Sequence, residues 1–422
     1  MKYIIILADG ASDNPIKSLG DKTPLMVANK PNIDALCKKS RCGKLITIPG
    51  DMPPGSEVAN LSVLGYDVKK VYQGRGVLEA ASIGVDINEG ELAMRCNLLC
   101  IENEKIKNHS AGHISSEEAR MLIETLNEKL GSATIRFYPG VSYRHLLVIK
   151  GGSEQIICTP PHDVPGTLFK DVLVKQNQES GNKTAALLND LIIQSQKILS
   201  SHPINTERIR LGKDPANSIW PWSQGYKPEM ETFKELYNIS GTVISAVDLI
   251  YGIGKYAGLK PVYVEGSTGR HDTNYEGKAK AAVDALKEVD FVYLHIEASD
   301  EAGHEGDVDL KIKTIEYLDQ RVVKYIVEET AKMNEDVTIA LLPDHPTPCD
   351  LKTHTREPVP FMIYHPNAIA DDVEEYNEVS VEKGSYGTLF GKEFISSFFG
   401  FSKFLMDNKN KLIKPPHRHI GT

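Results

Sequence analysis

"FVYLHIEASDEAGHEGDVDL", residues 291–310, opens with an apolar run and passes straight into acid. From Glu297 to Asp309 there are six carboxylates and one histidine, with no Lys or Arg among them. A chain that ends a buried strand this way has either a solvated acidic loop or a cation site. The same signature recurs. "YIIIL" (3–7) ends at "ADG", "TVISAV" (242–247) runs into "DLIYGIG", and "VTIALLPDH" (337–345) ends in Asp and His. Helical stretches, "EGKAKAAVDALKEV" (276–289) and "LKIKTIEYLDQRVVKYIVEETAKM" (310–333), lie between them. Strands that are almost entirely apolar, alternating with helices, predict a parallel α/β sheet covered on both faces. In such sheets chemistry gathers at the carboxyl ends of the strands, where Asp9, Asp300, Asp344 and His345 stand.

The totals agree with a soluble globular protein. At 422 residues, 41% hydrophobic and 25% charged, two domains are the natural expectation. A net charge of −9 argues against a nucleic-acid partner, though a metal or an arginine cluster can still invert the field of one cleft. "MKYIIILADG" is too short for a leader's apolar region or a membrane span. The six cysteines, at 37, 42, 96, 100, 158 and 349, form no C-x-x-C pair and read as reduced thiols of a cytoplasmic protein.

The middle of the chain changes character. Shorter strand signals ("ELAMRCNLL", "ATIRFY", "RHLLVIKG") surround a helix beginning near Ser115. This predicts a smaller α/β unit, 66–170, inserted as a lid into a discontinuous core of 1–65 and 171–410. The helix at about 182–200 fits either unit. A first helix is expected from about Thr23 to Lys39, and 411–422, basic and Pro-containing, as a loose tail.

Metal-type residues form a set. "DEAGH" places Asp300 and His304 four apart, so one helical face can carry both. "PDHPTPCDLKTHT" supplies Asp344, His345 and His354, and Asp9 adds another carboxylate. Carboxylate oxygens mixed with imidazole suit Mn²⁺, Zn²⁺ or Mg²⁺, and two such clusters suit two ions flanking a phosphoryl group. In "MPPGSEVANLSVLGYD", Ser56 is either the N-cap of a helix or a nucleophile at a helix N-terminus that cradles an anion. "YQGRGVLEA" (Arg75), "MRCN" (Arg95), "YPGVSYRHL" (Arg144) and "NHSAGHIS" (His109, His113) place arginines and histidines in the insert. Each arginine is either an ordinary surface group or a fork for carboxylate and phosphate oxygens.

The run "LADG…PGSEVAN…GRGVLEA…RCN…EASDEAGHEGD…PDHPTP…THT" resembles the archaeal-type, cofactor-independent phosphoglycerate mutases of the alkaline phosphatase superfamily. With "FYPGVSYRHLLV", "DPANSIWPWSQG" and "GTVISAVDLIYGIGKYAGL", the resemblance spans roughly residues 1–400. It implies an alkaline-phosphatase-like, mostly parallel sheet flanked by helices, with an inserted α/β lid. It also implies a binuclear site of Mn²⁺, Zn²⁺ or Mg²⁺ and no bisphosphoglycerate. Asp300, His304 and His354 would hold one ion, and Asp9, Ser56, Asp344 and His345 the other. Ser56 would carry the phosphoryl group between 3- and 2-phosphoglycerate, and His113 the proton. Arg75, Arg95 and Arg144 would grip the anionic substrate. Two departures stand out: Asn60 where the family commonly has His, and "NHSAGHI" in place of an Arg-containing segment. A related bacterial group proposed as homoserine kinase is the alternative. That activity needs a nucleotide, yet no G-x-x-x-x-G-K-[ST] is present, and "YGIGKYAG" reads as tight helix–strand packing.

Overall fold

The computed structural model describes residues 1–400; the expected tail, 411–422, lies outside the described residues. The chain forms two compact units, Met1–Tyr72 with the chain from Met230 onward, and Gln73–Glu229.

The first unit is built on eight strands: β1 (Lys2–Ala8), β2 (Arg41–Ile46), β3 (Gly241–Ile244), β4 (Lys260–Val262), β5 (Phe291–Ile296), β6 (Val337–Leu342), β7 (Val359–Tyr364) and β8 (Gly387–Phe390). They stand in the order β4-β3-β5-β1-β6-β7-β2-β8, all parallel except β7. The apolar runs have their reason here. Ile4, Ile6, Val292, Leu294, Ile339 and Leu341 pack on one side against Ala279, Ala282, Ile315, Val322 and Ile326. On the other side Phe291 stacks on Phe233 at 5.2 Å and meets Phe398 and Phe399. The register pairs Ala8 with Ile296 and Leu7 with Leu342, so Asp9, Glu297 and Asp344 leave the sheet at one level. Gly254 in helix Asp248–Tyr256 is packing, as expected: a Cβ there would stand 2.5 Å from Val243.

Two helices depart from the sequence reading. The helix expected at 23–39 is two, Pro24–Val27 and Pro31–Cys37, because Pro31 cannot continue the first turn and starts the second instead. The long helix from Val308 passes through a π-helical stretch, Leu318–Val323. There the fully buried Asp319 accepts from Ile33 N and Asn32 Nδ2, both at 2.7 Å, and so satisfies the start of helix Pro31–Cys37.

The second unit centres on strand Glu91–Glu102, antiparallel to Arg144–Lys150 on one side and Ser218–Gly225 on the other. It extends to Glu229, beyond the 66–170 expected of the insert, and it starts at Gln73. Helix Asn182–Ser200 and strand Ser218–Gly225 account for the extension: Leu188, Leu191, Ile192 and Trp220 share one core with Leu92, Met94 and Leu122. The polar connection at 175–183 disguised this continuity. All six cysteines are free thiols, and no helix of the described residues is long and apolar enough to cross a membrane.

The core of the second unit also holds a pH-sensitive element. His145 is 4% exposed, and its Nδ1 accepts the Gly140 N–H at 3.0 Å. Burial pushes its pKa down from 6.5 to about 3. The unfolded chain binds this proton more readily, so the stability contributed by neutral His145 is full above about pH 6.5 and is lost as pH falls toward 3. From pH 7 to pH 5 this one group costs about 2 kcal/mol. A thermal melt series on wild type should show the fall. His145→Asn, which keeps an acceptor and does not titrate, should flatten it; an equal fall in the variant would contradict this assignment.

Candidate active site

Helix Ala298–Glu305 follows β5 directly and puts Asp300 and His304 on one face. His304 Nε2 lies 3.4 Å from Asp300 Oδ2, and His354 Nε2 lies 3.4 Å from Asp300 Oδ1. The two imidazole Nε2 atoms face each other at 2.9 Å. His304 Nδ1 lies 3.0 Å from the Lys352 carbonyl, which takes the Nδ1 proton, so Nε2 is the nitrogen turned to Asp300 and His354.

Around the ends of β1 and β6 a second group forms. His345 Nε2 lies 3.6 Å from Asp9 Oδ1, 3.4 Å from Asp344 Oδ2 and 3.1 Å from Ser56 Oγ. Thr347 has a single hydroxyl proton, which it donates to Asp300 Oδ1 at 2.5 Å. Its oxygen therefore accepts from His345 Nδ1 at 3.2 Å, and His345 Nε2 presents a lone pair toward Ser56. Gly10 makes the close approach of these loops possible. Its φ is +61°, and a Cβ would fall 2.6 Å from Asp300 and 2.7 Å from Thr347. Lys311, fully buried, ties the same loops together through Ser12 O, Asp13 Oδ2 and Thr347 O.

Ser56 opens helix Ser56–Val63, and the N-cap is Gly55, so its hydroxyl does not cap. It stands at the positive end of that helix instead, aimed at His345. Asn60, one turn on, donates from Nδ2 to Asp344 Oδ2 and to Ser56 O, both at 2.8 Å.

The electrostatics call for cations. Asp9 is 1% exposed, and its Oδ1 has no hydrogen-bond partner. Burial, then the charges of Asp344 and Asp300, raise its pKa well above the usual carboxylate value. Burial pushes Asp300 up too, but the bonds from His304 and His354 outweigh it and hold Asp300 well below the ordinary range. The same bond pushes His304 up to about 9. Two overlapping triads, Asp300–His304–His354 and Asp9–Asp300–His345, and a third, Asp9–His295–Asp344, each bring their ligand atoms within 4.8 Å of one another. Buried carboxylates crowded this way are costly without a counter-charge, and the oxygen and imidazole donors suit divalent ions.

The rest of the acidic stretch sorts by position. Burial and then Asp300 push Glu297 up to about 8, near the fully buried Lys278. Asp307 caps helix Val308–Tyr317 by accepting from Leu310 N at 2.9 Å. Glu305 and Asp309 are exposed. Sequence reasoning missed His295, Tyr293 and Thr347. The first two hide in an apolar strand, and Thr347 has no charge to draw notice.

Within the second unit Arg95 is 8% exposed, pairs with Glu79 at 3.2 Å and stacks over Trp222 at 4.4 Å. Its pKa is lowered by burial, against the pull of Glu79 and with the repulsion of Arg75 and Arg144, so the three cations are within electrostatic reach. Arg75 opens helix Arg75–Ser82, and the exposed Arg144 lies over Tyr143. His113 and His109 both meet the Tyr143 ring, and His162 links His109 to Trp222. His113 follows Ala111 and Gly112 in a left-handed run with φ of 48°, 63° and 52°. Arg208, donating to Ala111 O at 2.6 Å, holds this strained loop. His162 and Trp222 gave no sequence signal of their own.

A family profile described as "2,3-bisphosphoglycerate-independent phosphoglycerate mutase" matches residues 37–205. A protein of that name from Methanosarcina acetivorans is 49% identical over 397 residues, covering 94% of this chain and 98% of its own. One from Methanothermobacter thermautotrophicus is 46% identical, covering 92% of this chain and 94% of its own. Among solved structures, a Pyrococcus horikoshii protein superposes with a TM-score of 0.81 at 30% identity, covering 95% of this chain and 97% of its own. The cofactor-independent phosphoglycerate mutase of Thermoplasma acidophilum superposes with a TM-score of 0.68 at 28% identity, covering 94% of this chain and 99% of its own. The chain belongs to the family of 2,3-bisphosphoglycerate-independent phosphoglycerate mutases.

Proposed function

We propose that this chain interconverts 3-phosphoglycerate and 2-phosphoglycerate through a phosphoserine on Ser56, with two divalent ions and no bisphosphoglycerate. The observation that carries the reading is the Ser56 hydroxyl, 3.1 Å from a His345 lone pair and set at a helix N-terminus among crowded carboxylates. Asp300, His304 and His354 would hold one ion, and Asp9, Ser56, Asp344 and His345 the other. Such ions neutralise charge developing on a phosphoryl group and sharpen a neighbouring hydroxyl as a nucleophile. Asn60 and Gly10 N fix Asp344 from two sides, which keeps Ser56 and the carboxylates in register. Ser56 takes the phosphoryl group from one hydroxyl of the glycerate and returns it to the other.

The second unit is proposed to hold the organic part of the substrate. Arg75, Arg95 and Arg144 offer planar forks to its carboxylate and phosphate. His113, held by its strained loop, moves the proton between the two hydroxyls. The free thiols support a reducing, cytoplasmic setting. The homoserine kinase alternative draws no support from the relatives. The test is a side-by-side assay of the Mn²⁺-loaded protein. It should convert 3-phosphoglycerate to 2-phosphoglycerate without added bisphosphoglycerate and leave homoserine plus ATP unchanged. Phosphorylation of homoserine without mutase turnover would overturn the assignment.

A further inference from the structure

Strand β5 reads as apolar, yet it carries Tyr293 and His295, which the period of two sends to one face of the sheet. Both are fully buried, at 1% and 0% exposure. The Tyr293 hydroxyl donates to Asn60 Oδ1 at 2.5 Å. A side-chain amide has one accepting and one donating end, so a proton delivered to Oδ1 turns the NH₂ toward Asp344. Asn60 Nδ2 indeed donates to Asp344 Oδ2 at 2.8 Å. Tyr293 thus sets the polarity of the group that orients Asp344.

His295 reaches the other carboxylate. The Ser245 oxygen accepts the Val247 N–H at 3.0 Å, and the same hydroxyl lies 3.2 Å from His295 Nδ1, which fixes the ring in place. The other ring nitrogen, Nε2, lies 3.0 Å from Asp9 Oδ2, a close polar contact without hydrogen-bond alignment. That contact leaves Asp9 Oδ1, the oxygen without a hydrogen-bond partner, turned toward His345.

We infer that Tyr293 and His295 are positioning residues of the second cation site, Tyr293 aiming Asp344 through its hydrogen bond to Asn60 and His295 aiming Asp9 through a direct contact at 3.0 Å. The inference rests on the two-ion reading above. Partners that orient metal ligands in this way are worth about 10- to 100-fold in metal affinity.

The test is calorimetric titration of metal-free protein with Mn²⁺, which reads binding rather than turnover. Wild type should take up two ions. Tyr293→Phe and His295→Leu should each weaken one of them by about tenfold or more and leave the other unchanged. His295→Gln, whose amide can donate to Asp9, should recover part of the loss. In a His354→Ala background, which disables the first site, the weakening should persist for the remaining ion. Wild type binding two ions, with the variants matching it or losing both ions equally, overturns the inference alone. Wild type binding fewer than two ions overturns it together with the two-ion reading.

Discussion

Replacing Ser56 by Ala is expected to lower mutase turnover by roughly 10⁴-fold or more, the scale on which a covalent nucleophile is lost. Neither Thr347 nor Ser62 takes its place. Thr347 is committed to Asp300 and His345, and Ser62 lies almost two turns further along the helix. The fold should not notice. Gly55, not Ser56, occupies the N-cap, and the Ser56 carbonyl that accepts from Asn60 survives the change. Stability is expected to stay within about 0.5 kcal/mol of wild type. Coupled measurement of turnover and of the melting temperature checks this. Near-normal turnover in Ser56→Ala would remove the hydroxyl from the chemistry.

Metal removal is expected to have the second largest effect, because it acts on chemistry and stability together. Asp9, Asp300 and Asp344 meet at 0–4% exposure, and the charges that act most on Asp9 are all carboxylates. An ion that binds only the folded state stabilises it by about 2.7 kcal/mol at a hundred times its Kd. Exhaustive chelation should therefore abolish turnover and lower the melting temperature, and added Mn²⁺ should restore both. The sign follows from linkage: ions that bind the native carboxylates pull the equilibrium toward the native state. A chelated protein that melts as the untreated one does would contradict a cation role for these groups.

The first sheet was legible because its strands are buried on both faces, so they read as apolar runs punctuated by Asp9, Glu297 and Asp344. Asp300 and His304 were legible because a helix repeats nearly every four residues, and their spacing needs no tertiary information. The convergence of His354 on Asp300 was not legible from spacing; the loop from Pro346 to His354 decides it, and only the family resemblance pointed there. Tyr293 and His295 were hidden for a physical reason. A Tyr or His in a β-strand contributes burial whether or not its polar end finds a partner. Asn60 stood out only as a departure from the family pattern. Its structural sense depends on Tyr293, 233 residues away in sequence. The limits of the inserted unit failed locally too. Helix Asn182–Ser200 is amphipathic wherever it docks, and only the shared core with Leu92 and Met94 assigns it to the second unit.

The central claim is a covalent phosphoryl group on Ser56. Incubating the Mn²⁺-loaded protein with radiolabelled 3-phosphoglycerate, quenching in acid and mapping the labelled peptide tests it most directly. The account predicts label on the peptide containing Ser56, and none in Ser56→Ala. Turnover of substrate with label on another residue, or with no labelled protein under conditions that preserve phosphoserine, would contradict it.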